Sequence, residues 1–230
     1  QWEQGKQRKQ GEQEQEYTFE ILSLLTEEDK WVLHGKGKIK ECRDVQLKVS
    51  SIHPGDEGNR ISTSNYYQEF EKRGIKYGEK FQAIAQLFGG ENQALGEVQL
   101  PSGLDSDGYN IHPVLLDAAF QVVGAALNWE DTRDIYLPVG LDSLTFYGDV
   151  KDCFWSQVKI RPHETSFPRL LIADIELIAD DGKVLADISG LKLRKTNPEA
   201  IFGNGKAGSK TKSIINSKIE YKTEYPKKRH

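Results

Sequence analysis

The run of residues 112–129 constrains this chain more than any other. Pro113 opens it, and apolar side chains follow at Val114, Leu115, Ala118, Ala119, Val122, Val123, Ala126 and Leu127. Steps of three and four residues define a helix, and proline suits a helix's first turn because an N–H there would lack a partner within the helix. The apolar positions cover nearly the whole circumference, so the helix has to be buried. Three extended runs, 153–161, 169–179 and 183–195, can cover it, the last two joined by the turn Asp180-Asp181-Gly182. One buried helix against antiparallel strands is an α+β arrangement.

Upstream, residues 17–25 and 31–39 read as two strands joined by a polar connection of hairpin length. Residues 50–60, with Pro54, form a loop, and 66–73 a short helix. Residues 81–88 and 95–100 read as a second hairpin with Gly89 and Gly90 between them. Both ends are poor in apolar residues: 1–16 is rich in Gln, Glu and Lys and reads as a solvated loop, and 197–230 as a linker or tail. The chain starts at Gln1 and holds no methionine, which points to an excised piece of something longer.

Composition narrows the function classes. A net charge of −4 lacks the clustered basic residues that phosphate binding needs, so a nucleic-acid partner is not expected. Cys42 and Cys153 have no neighbours at metal-ligand spacing, so neither a disulfide framework nor a metal site is expected. No apolar run approaches the ~20 residues of a membrane span, and the expected location is cytoplasmic.

Within the apolar helix, Asp117 and Gln121 stand four residues apart on one face, with Gly124 and Asn128 further along the stripe. Burial would disfavour the carboxylate and raise its pKa, as suits a proton donor. The nearby helix N-terminus would favour it and lower the pKa. Both outcomes stay open, as does the plain reading of Asp117 as a partly exposed first-turn acid.

His112-Pro113-Val114-Leu115-Leu116-Asp117-Ala118-Ala119-Phe120-Gln121 resembles the HPxLLDxxxQ motif of polyketide synthase dehydratase domains. Three more segments keep the family's order. Trp31-Val32-Leu33-His34-Gly35-Lys36-Gly37 resembles its W-x-L-H-A-x-G strand, Tyr77-Gly78-Glu79-Lys80-Phe81-Gln82 its Y-G-P-x-F-Q segment, and Leu137-Pro138-Val139-Gly140 its L-P-F/V element. The resemblance spans about 17–194 and implies the C-terminal part of a double hotdog, a fold in which each half wraps an antiparallel sheet around a long central helix. Residues 17–49 would be late strands of an incomplete first hotdog, and 50–196 the second, aspartate-bearing one.

The same resemblance implies removal of water from a β-hydroxyacyl thioester. Asp117 would protonate or bind the leaving hydroxyl and Gln121 would orient the carboxylate. Tyr77, Gly78, Phe81, His112, Pro113, Leu137 and Pro138 would line the substrate site. The substrate would arrive on the phosphopantetheine arm of an acyl carrier protein, with no cofactor bound directly. Neighbouring synthase domains are further implied partners, and pairing into a homodimer is common in the family.

Departures from the family pattern bear on activity. The family's base is a histidine in H-x-x-x-G-x-x-x-x-P, and His34, His53 and His163 lack that context, while His112 belongs to the other motif. Truncation and a natural pseudo-dehydratase, acting as scaffold or acyl-chain binder, both fit this, with truncation favoured. Cyclisation by a related hotdog domain is a third reading. Glu79 replaces the family's proline and Gly140-Leu141 a frequent aromatic, which bears on substrate preference.

Other motifs carry less. Gly140-Leu141-Asp142-Ser143-Leu144 resembles a phosphopantetheine attachment sequence, but strand formers follow where a carrier has a helix. Residues 203–211 imitate a phosphate-binding loop with lysine and serine transposed. Phe146, Tyr147, Phe154 and Trp155 read as an acyl tunnel or as plain core.

Overall fold

The computed structural model describes residues 16–25, 30–41, 48–50, 60–127, 135–162 and 168–196. The chain divides into two compact units, with the first two strands in one and Val45–Phe202 forming the other.

In the first unit, β1 (Glu16–Leu25) and β2 (Lys30–Lys40) form an antiparallel ribbon. Tyr17, Phe19 and Ile21 pair with Ile39, Gly37 and Gly35, and past a bulge Leu22 and Leu24 pair with Leu33 and Trp31. Directly opposed residues share a face, so the bulge keeps both strands' apolar side chains together where strict alternation would have turned some of them over. Gly37 lets the Phe19 ring lie across the partner strand, where a Cβ would come within 2.7 Å of it and turn the ring aside.

The second unit holds α1 (Thr63–Lys72), β3 (Ile84–Gly90), β4 (Gln93–Gln99), α2 (Pro113–Gln121), β5 (Ile135–Gly140), β6 (Ser143–Phe146), β7 (Cys153–Ile160), β8 (Leu170–Ile178) and β9 (Val184–Thr196). Among the described residues the sheet runs β3-β4-β7-β8-β9-β5, with β6 also paired to β9, and every pairing is antiparallel. Strand β7 buries Phe154, Ser156, Val158 and Ile160 in alternation, and that face meets Leu115, Ala118, Ala119 and Val122 of the helical segment in one core. The Ser156 hydroxyl donates to the Ala119 carbonyl at 3.1 Å, tying sheet to helix. An antiparallel sheet around one buried helix is the α+β hotdog arrangement that the resemblance implies.

The helix is shorter than its sequence pattern. It is α-helical over Pro113–Gln121 and then tightens into a 3-10 segment, Val122–Ala126. β-Branched Val122 and Val123 and then Gly124 are weak α-formers, and the segment lies against β3 and β4 where two glycines leave room. A Cβ on Gly96 would lie 2.5 Å from Val122 Cγ2, and one on Gly89 would lie 2.6 Å from the Ala125 carbonyl. Gly89 and Gly90 therefore end β3 instead of forming its turn. The turn is Glu91-Asn92, with Asn92 at φ 59°. Strand β3 begins at Ile84, not 81, because Glu79–Phe81 is a 3-10 turn. Ser143 opens β6, a strand, which removes the carrier-protein reading. Asn128, Cys42, His53, His163 and the 203–211 motif lie outside the described residues. No helix among the described residues is long and apolar enough to cross a membrane.

Candidate active site

His112 and Pro113 act at the start of α2. His112 is the N-cap, its Nδ1 accepting the Val114 N–H at 3.2 Å, and Pro113 follows in the first turn. That fixes the phase of the helix, so Asp117 and Gln121 both face a cavity while Ala118 and Ala119 face the sheet.

Gln121 is 4% exposed, and every polar atom of its side chain has a partner. Its Nε2 donates to Asp117 Oδ2 at 2.7 Å and to the Phe81 carbonyl at 3.1 Å, and its Oε1 accepts from the Tyr67 hydroxyl at 3.0 Å. The reverse orientation would set the amide oxygen against two acceptors, so the amide has one workable orientation. From α1, Tyr66 donates to the Gln121 main-chain carbonyl.

The cavity, about 50 Å³, is lined by apolar and aromatic side chains from α1, α2, β5 and β9, among them Phe70, Phe120, Tyr136 and Leu193, around Asp117, Tyr77 and Gln121. The cavity is open on one side and has room beside Asp117 for a water or a substrate hydroxyl. Burial raises the Asp117 pKa, with the Gln121 hydrogen bond as a smaller opposing influence. The Tyr77 phenol is pushed up by burial and then by the neighbouring Asp117 charge. A carboxyl that retains its proton more readily than usual, in a mostly apolar cavity, can deliver that proton to an oxygen leaving group.

Of the residues singled out from sequence, Asp117, Gln121, Tyr77, Leu137 and Pro138 are brought together here. Gly78, Phe81, His112 and Pro113 are not among the lining residues. Gly78 caps the 3-10 turn, and Phe81 contributes its carbonyl to Gln121 while its ring is 42% exposed. Phe146, Tyr147, Phe154 and Trp155 do not line the cavity either. Phe154 is core, Tyr147 bonds to Asp187 and Trp155 to Asp180. The sequence reading missed Tyr67, Phe70, Tyr136 and Leu193. The aromatic spacing Tyr66, Tyr67, Phe70 at the start of α1 was the available signal.

A family model described as the polyketide synthase dehydratase N-terminal domain matches residues 50–200, more than half of the chain. The chain belongs to the polyketide synthase dehydratase family. The sequence pattern suggested a C-terminal part where the model's description reads N-terminal, and the family is the same under either description. Polyketide synthase PksN of Bacillus subtilis is 30% identical over 188 residues, which is 80% of this chain and 3% of that protein. The dehydratase domain from the CurF module of curacin polyketide synthase is 34% identical with a TM-score of 0.68, over 79% of this chain and 65% of that one. The corresponding CurK domain is also 34% identical, with a TM-score of 0.65, over 81% and 64%. The chain therefore spans just under two thirds of these solved dehydratase domains and a small part of a far longer synthase.

Proposed function

We propose that this chain supplies the acid half of a dehydratase site that converts a β-hydroxyacyl thioester into the α,β-enoyl thioester. The observation that carries this is the Asp117–Gln121 pair at 2.7 Å in a mostly apolar cavity, with burial raising the carboxyl's pKa. Gln121 occupies Oδ2, so the retained proton sits on Oδ1. That proton passes to the β-hydroxyl oxygen as the Cβ–O bond breaks, water leaves, and a base takes the α-proton as the double bond forms. Among the described residues no histidine lines the cavity: His112 caps α2, and His34 Nε2 pairs with Ser23 Oγ at 2.6 Å. The α-proton is assigned to a histidine of the family's H-x-x-x-G-x-x-x-x-P kind, a motif that this sequence does not contain, in keeping with residues 50–196 as the aspartate-bearing second hotdog.

The β-hydroxyl enters beside Asp117, and Tyr77, Leu137 and Pro138 of the same lining face the substrate. Delivery on the phosphopantetheine arm of an acyl carrier protein within one synthase, the absence of a directly bound cofactor, pairing into a homodimer and a cytoplasmic setting complete the reading. These four rest on the resemblance of the sequence motifs to the family.

The test is water loss from a β-hydroxyacyl-pantetheine thioester, followed by mass spectrometry, with a histidine-bearing dehydratase segment supplied to the chain. Turnover abolished by Asp117→Asn is the expected result. Turnover indifferent to Asp117→Asn overturns the acid assignment. No turnover together with retained thioester binding identifies an acyl-binding pseudo-dehydratase.

A further inference from the structure

The hydroxyl of Tyr67 stands at the centre of a hydrogen-bond chain that runs in one direction. Its oxygen accepts the Ile84 N–H at 3.2 Å, where β3 begins, so its own proton is free to point at Gln121 Oε1, 3.0 Å away. Gln121 Nε2 then donates to the Phe81 carbonyl and to Asp117 Oδ2. A main-chain N–H can only donate and a main-chain carbonyl can only accept, so Ile84 at one end and Phe81 at the other set the direction of the chain. Phe81 closes the 3-10 turn and Ile84 opens β3, with only Gln82 and Ala83 between them.

We infer that Tyr67 is a positioning residue for Asp117, acting through the Gln121 amide by fixing which end of that amide meets the carboxylate. This rests on the reading of Asp117 as the acid of the site. Without the hydroxyl, Oε1 becomes a buried acceptor with no donor, and rotation toward water takes Nε2 away from Asp117. The carboxyl then keeps its desolvation and loses the hydrogen bond that opposes it. Among the described residues, the titratable groups near Asp117 are Tyr77 and Tyr136 in the cavity lining and Tyr67 behind Gln121, and the described lining holds no Lys, Arg, His or second carboxylate.

The test is the titration of the Asp117 carboxyl carbon by NMR, in the full chain and without substrate. Tyr67→Phe is expected to shift the midpoint upward, the same direction as Gln121→Leu, and to add nothing in the Gln121→Leu background. Tyr66→Phe is the matched control. It removes a hydroxyl from the same helix whose bond is to the Gln121 main chain, and is expected to leave the midpoint in place. Equal shifts from both tyrosine variants, no shift from Tyr67→Phe, or additivity with Gln121→Leu would each overturn the inference. A measurement on the unaltered chain covers a variant that does not fold: the two Gln121 amide hydrogens should be distinct and slow to exchange, and rapid averaging of them overturns the fixed amide. This titration reads no turnover, so a failed dehydration assay alongside the expected shifts would reject the proposed function and leave Tyr67's role standing.

Discussion

Gln121 Nε2 lies 2.7 Å from Asp117 Oδ2, one helical turn along α2, and this contact opposes the desolvation that raises the carboxyl's pKa. Desolvation is the larger influence, so the folded-state pKa exceeds the unfolded one. Such a group favours folding below its unfolded pKa, and that contribution is lost as pH rises through the folded value. Asp117→Asn removes the dependence. Denaturant melts should show the variant gaining stability relative to wild type as pH rises from the acid side of the carboxylate range to pH 7. A relative gain that shrinks with rising pH would contradict the sign.

Asp174 should behave in the opposite way. Hydrogen bonds from Arg161, at 2.9 and 2.7 Å, are the main cause lowering its pKa, with a further bond from the Gly190 N–H at 2.8 Å. A folded pKa below the unfolded one contributes stability above the unfolded value and loses it as pH falls through the folded one. Asp174→Asn should therefore be less stable than wild type at pH 7, with the gap closing in acid. The pair is substantially exposed, so the gap should be small and should narrow in high salt. Melts across pH and salt check both trends.

Gly96 holds the floor under the 3-10 segment. Gly96→Ala sets a methyl 2.5 Å from Val122 Cγ2, inside a core where Val122 is fully buried. Overpacking of this kind costs about 1–3 kcal/mol. Val123 and Gly124, next in the same segment, line the cavity, so thioester binding should weaken as well. Adding Val122→Ala should recover part of the stability. A double variant no better than the single one would place the strain elsewhere.

Ser156 is fully buried on β7, and its hydroxyl is spent on the Ala119 carbonyl. Ser156→Ala should cost about 1 kcal/mol, the usual contribution of such a bond, with an unchanged denaturant slope. Chemical denaturation measures both quantities. A neutral result would mean that the serine is not what ties the sheet to the helix.

Much of this was legible in the residues. Period-3.6 and period-2 patterns located α2 and the strands β7, β8 and β9 to within a residue or two at most ends, because both elements bury one defined set of positions. The HPxLLDxxxQ stretch placed Asp117 and Gln121 on one helix face. The glycine-rich hairpin was misplaced because Gly89 serves a close approach to Ala125, a contact some 36 positions away along the chain, and not a local turn. The same reason hid the end of α2: Val122 and Val123 continue an apolar helix pattern, and only the strands beneath them compress the backbone into a tighter turn.

By itself the sequence determined the α+β class and the placing of Asp117 and Gln121 on one helix face, because each follows from residues near one another in the chain, while the hotdog and the family came from the resemblance of motifs spread along it. Tertiary structure alone decided the direction of the Asp117 pKa shift, the orientation of the Gln121 amide and which residues close the cavity. Those depend on burial against α1, β5 and β9 and on hydrogen bonds from α1 and β3, elements that gather around Asp117 and Gln121 only once the sheet has folded around the helix.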